Sequence, residues 1–84
     1  MDKEEFKLAM AYARSVFISE CKRESKLDGA TQKELAEIHG YFGKAEVAAK
    51  GAGATMGDRI MLRLVTGLLW RTLRARTQTT EVMQ

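Results

Sequence analysis

Proline does not occur in this 84-residue chain, and cysteine occurs once. Without proline the commonest helix breaker is missing, so nothing local forbids long helices. A single cysteine, Cys21, excludes an intramolecular disulfide. Together with the single histidine, His39, it also falls short of the about four Cys/His ligands of a structural zinc site. Neither repeated cysteines nor carboxylates alternating around a glycine turn are present, which leaves no iron–sulfur or calcium signature. Long apolar runs are scarce too. The most apolar stretch, Leu64 to Trp70, is seven residues between Arg63 and Arg71, against roughly 20 for a membrane-spanning helix. The amino terminus, Met1-Asp2-Lys3-Glu4-Glu5, lacks the basic, apolar and small-residue order of a secretory signal, and the expected location is cytoplasmic.

Catalytic constellations are also missing. Gly51-Ala52-Gly53 has neither the later glycine nor the lysine with Ser/Thr of a phosphate-cradling loop. His39 has Glu46, two turns away, as its nearest acid on the same side of a helix. General acid–base or nucleophilic work needs a positioned second group, and no such spacing is visible. A buried small-hydrophobe role suits Cys21 better than pairing with His39. The expectation is a protein that is not an enzyme and binds no cofactor or metal.

What the sequence does contain is helix-forming. Alanine, leucine, methionine, glutamate, lysine and arginine are abundant, and apolar residues recur every three or four positions. Three helices are expected, at about 3–27, 31–50 and 56–76, in a single domain covering 1–76, followed by a flexible tail at 77–84. Capping patterns mark each start: Asp2 with Glu5, Thr31 with Glu34, and Thr55 with Asp58. Gly29 suits a left-handed cap after the first helix, and the short connection to the second predicts an antiparallel hairpin. Gly51-Ala52-Gly53-Ala54 reads as the one clear linker. Gly40 and Gly43 each cost about 1 kcal/mol against alanine in a helix interior, so a bend at His39–Gly43 is an alternative to a continuous second helix.

The predicted faces are specific. In the first helix, Phe6, Ala9, Met10, Ala13, Val16, Phe17 and Cys21 share the core side. A weaker stripe of Leu8, Ala11, Tyr12, Ser15, Ile18 and Ser19 mixes apolar and hydroxyl groups in the way interface surfaces do. In the second helix, Leu35, Ile38, Tyr41, Phe42, Ala45, Ala48 and Ala49 should pack on the first. On its rear, Ala36, Gly40, Gly43 and Val47 form a shallow strip that another backbone could approach, a candidate dimer or partner groove.

Charge singles out the third helix. Residues 1–29 and 30–53 are each balanced, so the formal +3 of the chain resides in residues 54–84, where Arg59, Arg63, Arg71, Arg74 and Arg76 face only Asp58 and Glu81. All five bases are arginine, whose planar fork binds carboxylate or phosphate in a bidentate manner and stacks on rings. On a helical wheel Arg59, Arg63, Trp70, Arg71 and Arg74 fall in a sector of about 120°, and the remaining apolar arc is wider than a simple surface helix needs. Folding buries only about 60% of the unfolded chain's surface at this size. A second subunit or a partner would therefore cover the surplus.

These readings converge on an all-α domain, a helical hairpin plus a third amphipathic helix in a small, dimeric bundle. Its expected function is to bind and regulate a protein with an acidic surface, occluding that surface or blocking assembly. Arg59, Arg63, Trp70, Arg71 and Arg74 would anchor it, with Tyr12 and Leu8 as further contacts, because tryptophan and arginine most often dominate interface energy. As a class only, the small, dense, non-catalytic build resembles that of phage-encoded accessory proteins that inhibit or redirect a host factor. The alternative is a nucleic-acid-binding regulator that uses the arginine-rich helix for phosphates and Trp70 for stacking. Two balanced thirds of the chain make a weak electrostatic footprint for that role. An interfacial membrane helix would also place arginines opposite leucines, but a core explains so wide an apolar arc better.

Overall fold

A computed structural model describes residues 1–22 and 27–83, the stretch 77–83 by its backbone alone. The described residues form three helices and no strand: α1 (Lys3–Cys21), α2 (Gln32–Ala48) and α3 (Met56–Met83). Each start is fixed by its side-chain cap. The Asp2 carboxylate accepts the Glu5 amide at 2.8 Å. Thr31 and Glu34 exchange bonds at 3.1 and 3.3 Å, and Thr55 and Asp58 do the same at 3.1 and 3.2 Å. Such reciprocal pairs satisfy two of the amide donors that every helix start leaves orphaned.

The core is one cluster. It joins Phe6, Ala9, Met10, Ala13 and Val16 of α1 and Leu35, Phe42 and Ala45 of α2 to Leu62, Val65 and Leu69 of α3, with Leu27 and Ala49 closing its ends. Alanines at Ala9, Ala13 and Ala45, all without accessible surface, let the helix backbones approach closely. The third helix is the spine. It packs against both others, most extensively on α2, whereas the contact between α1 and α2 expected from the sequence is the slightest of the three. At about 1.5 Å per residue, α3 is about 42 Å long, which accounts for the 46 Å long axis of the molecule. The radius of gyration, 13.6 Å, accordingly exceeds the about 12 Å of a rounder domain of this length.

Several expectations need correction. The first helix ends at Cys21 with Lys22 as its cap, not at 27; the expected continuation through 23–26 lies outside the described residues. Cys21 is exposed, and Leu27 is the buried apolar residue at this end of the core. Ser19 is buried instead, its hydroxyl donating to the Val16 carbonyl at 2.9 Å. Tyr41 reaches the surface and meets Tyr12 edge to face, with ring centroids 6.4 Å apart. The second helix runs unbroken through His39–Gly43. Its glycines sit on the outer side, while Leu35, Phe42 and Ala45 hold the inner side down.

The two connections differ from expectation in kind. Gly29 does not take a left-handed conformation; Gly53 does, with φ at 74°. The Ala54 amide donates to Ala49 at 3.0 Å and the Gly53 amide to Lys50 at 3.4 Å, the bond pair of a Schellman cap with glycine at its left-handed position. The apparent linker is therefore a helix stop. Gly53→Ala is expected to lower stability by about 1 kcal/mol, since a Cβ is penalised in this conformation, and to lower Tm by about 5 °C; Gly53→Asn should lose less. Thermal unfolding followed by circular dichroism measures both.

Beyond Arg76 the sequence reading places a flexible tail at 77–84, yet the α3 backbone continues to Met83. Thr77-Gln78-Thr79-Thr80 are modest helix formers but contain no breaker, and extending an existing helix avoids the cost of nucleating one.

Candidate interaction surface

Position on α3 decides which arginines are free. The buried side of the helix is set by Leu62, Val65 and Leu69; residues on the opposite side point away from both other helices. Arg59, Arg63, Arg71 and Arg74 are all exposed, and none forms an ion pair among the described residues. The nearest acid on this helix, Asp58, is committed elsewhere. It caps α3 and accepts from Arg14 of α1 at 3.1 Å. Glu46 of α2 is held 3.1 Å from the Thr66 hydroxyl.

Apolar groups are interleaved with these cations. Met56, Ile60, Leu64 and Trp70 are 72, 52, 47 and 57% exposed. The surplus of the apolar arc is thus uncovered in the single chain. Trp70 leans toward α2, its ring centroid 6.1 Å from that of His39. On the opposite flank Arg63, Leu64, Gly67, Leu68 and Arg71 of α3 meet Phe17 of α1 around a dent of about 220 Å³. Nearer the start of α3, Arg59, Ile60 and Arg63 border a second depression against Glu46 and Lys50. Arg63 lines both.

The five residues expected as anchors are each exposed on α3, as are Met56, Ile60 and Leu64, which sequence reading left at the edge of the core or unassigned. The wheel carried the signal: Ile60 falls between Arg63 and Arg71 and Leu64 about 20° beyond Arg71, on the side away from Leu62 and Leu69. Leu8 and Tyr12 do not join this surface. Leu8 is 67% exposed, and both line a separate shallow depression with Glu37, Ile38 and Tyr41. Tyr12 also stacks on the buried Phe42 at 5.5 Å, so part of its ring serves the fold.

The strip on α2 is at the surface. Ala36 and Gly40 are exposed and Val47 is 86% exposed, with Gly43 half-buried. Gly40, Gly43 and Val47 line a broad groove of about 1170 Å³ against Met1, Asp2 and Lys3. A Cβ at Gly40 or Gly43 would meet nothing within 4 Å, so packing within the chain does not require glycine at either position.

Arg76 stands apart from the other arginines. Its guanidinium donates to the carbonyls of Leu27 (3.1 Å), Asp28 (3.2 Å) and Ala30 in the connection between α1 and α2. No cluster of three or more His, Cys, Asp or Glu side chains is placed to hold a metal ion among the described residues. No helix among them is long and apolar enough to cross a membrane. The chain matches no protein-family profile, no curated protein and no solved structure.

Proposed function

We propose that this chain is a non-enzymatic protein-binding regulator acting in the cytosol, one that occludes an acidic surface of its target or blocks the target's assembly. One observation supports the reading most: the outer face of α3 interleaves four arginines that form no ion pair among the described residues with exposed Met56, Ile60, Leu64 and Trp70. Aromatic residues, methionine and arginine are the types enriched at interfaces. Arginines alone would suit phosphates equally well, but a nucleic-acid backbone offers nothing to bury the aliphatic chains. The small, dense build suits the inhibitory role of a phage-type accessory protein.

Homodimerisation belongs to the same reading and uses the α2 strip. In a symmetric dimer the same patch meets itself, so pairing through the outer face of α3 would set arginines against arginines. The strip at Ala36, Gly40, Gly43 and Val47 has no such conflict. Sedimentation equilibrium at micromolar concentration should give twice the 9.4 kDa chain mass; the single-chain mass refutes the dimer.

The functional test is affinity capture with tagged protein from nuclease-treated and untreated lysate, read by mass spectrometry. One stoichiometric protein that survives nuclease and moderate salt supports the reading. Capture lost on nuclease treatment replaces it with nucleic-acid binding.

A further inference from the structure

We propose that the dent at Gly67 is the specificity pocket of this surface, and that it receives one large apolar side chain from an acidic amphipathic helix of the target protein. The inference rests on the reading of α3 as a protein-binding face and names what that face selects. Phe17 and Leu68 give the dent an apolar wall, and Arg63 and Arg71 stand at its edges. Its volume of about 220 Å³ lies below the roughly 300–1,000 Å³ of small-molecule sites, and suits a single side chain. Gly67 lines the dent and contributes no side chain to it. A Cβ there would meet nothing within 4 Å, so neither packing nor backbone conformation calls for glycine in the middle of α3.

Shape and charge define the occupant. Met56, Ile60, Leu64, Gly67 and Arg71 follow one another at spacings of four, four, three and four residues, the row that a helix laid along another helix engages. Helix-in-groove recognition of this kind reads apolar anchors spaced by turns. Arg63 and Arg71 are two turns apart, about 12 Å along the axis. Carboxylates one turn before and one turn after an apolar anchor have the same separation. A second copy does not offer that pattern: Leu8 is flanked at four residues by Glu4 and Tyr12, and Ile18 by Arg14 and Lys22. Tyr41 and Val47 likewise lack a pair of acids.

The probe is an alanine-based helical peptide with one central leucine and a glutamate four residues to either side, titrated into isotopically labelled protein and followed by amide chemical shifts. Saturable shifts are expected at Phe17, Gly67 and Leu68. Replacing the central leucine by alanine should weaken binding by about thirtyfold, the effect of losing a hot-spot contact. Gly67→Met, which fills the dent, should abolish binding while the melting temperature holds or rises; the milder Gly67→Ala should weaken it in the same direction. No shift at millimolar peptide, or equal affinity for the leucine and alanine peptides, overturns the proposal. So does a duplex or single-stranded oligonucleotide that shifts these amides when the peptide does not. Applied to a captured target, the variants separate the two readings. Binding kept by Gly67→Met but lost on charge reversal at Arg63 and Arg74 removes the pocket alone, and binding kept by both removes the protein-binding face as well.

Discussion

Arg76→Ala is expected to cost about 2 kcal/mol of stability, a large effect for a polar side chain at a part-buried site. Hydrogen bonds from charged groups are worth about 1.5–3 kcal/mol, and Arg76 directs its guanidinium at three carbonyls of one turn. The turn carries Leu27, 2% exposed, into the core, and its carbonyls have no place in a helix ladder. Removing the cation takes this donor from the Asp28 and Ala30 carbonyls, while the Leu27 carbonyl keeps the Ala30 amide at 3.2 Å, and it loosens the seat of a buried leucine. For a domain of this length the expected fall in Tm is about 10 °C. Amide exchange should speed up around Leu27–Thr31 before it does so in α2. Arg76→Lys should recover only part of the loss, because a compact ammonium cannot span carbonyls that a planar fork reaches together. A Tm unchanged in Arg76→Ala would show that the turn is held by Leu27 alone.

This contact was partly written in the sequence. Arg76 lies seven residues after Leu69, hence on the buried side of α3, and a cation at such a position must find acceptors or reach past the core. Read only as charge, it merges with the other four arginines. Its acceptors were not legible, because backbone carbonyls of a turn 46 to 49 residues away leave no mark on composition or period. The helix starts were the most legible feature, since each cap is a local exchange between residues three apart. Stops were less so. Gly29 and Gly53 look alike in sequence, and only the bonds from Ala54 and Gly53 back to Ala49 and Lys50 separate the left-handed cap from an ordinary turn residue.

The faces followed the same division. Period alone placed Phe6, Ala9, Met10, Ala13 and Val16 inside, because five residues on one side of a long helix outweigh local preferences. It misplaced Cys21, where the helix ends, and Tyr41, whose ring is satisfied at the edge by Tyr12 and Phe42. For the candidate surface, the arginine and tryptophan sector was legible as a charge imbalance. The dent beside Gly67 was not, since one wall comes from Phe17 of another helix.

Reversing two charges, Arg63→Glu with Arg74→Glu, should abolish binding to the target while leaving the fold intact. Both side chains are exposed and free of ion pairs among the described residues, and surface substitutions of this kind change stability by no more than about 0.5 kcal/mol each. The local balance favours the variant. Arg63 stands one turn from Arg59, and Arg74 three residues from Arg71, so each reversal turns a like-charge neighbour into an attractive one. Helicity and Tm should hold or rise slightly, and lost binding cannot then be assigned to unfolding. Arginine hot spots contribute about 2 kcal/mol or more each, so the pair predicts a loss of about a thousandfold, measurable by calorimetry against the captured target. Salt dependence of the unmutated chain discriminates further. Four arginines on duplex phosphates would give a slope of log affinity on log salt of about −3.6, unchanged by Ile60→Ala. An acidic protein partner would give a shallower slope and would lose affinity when Ile60 or Leu64 is truncated, because only a protein surface buries those side chains.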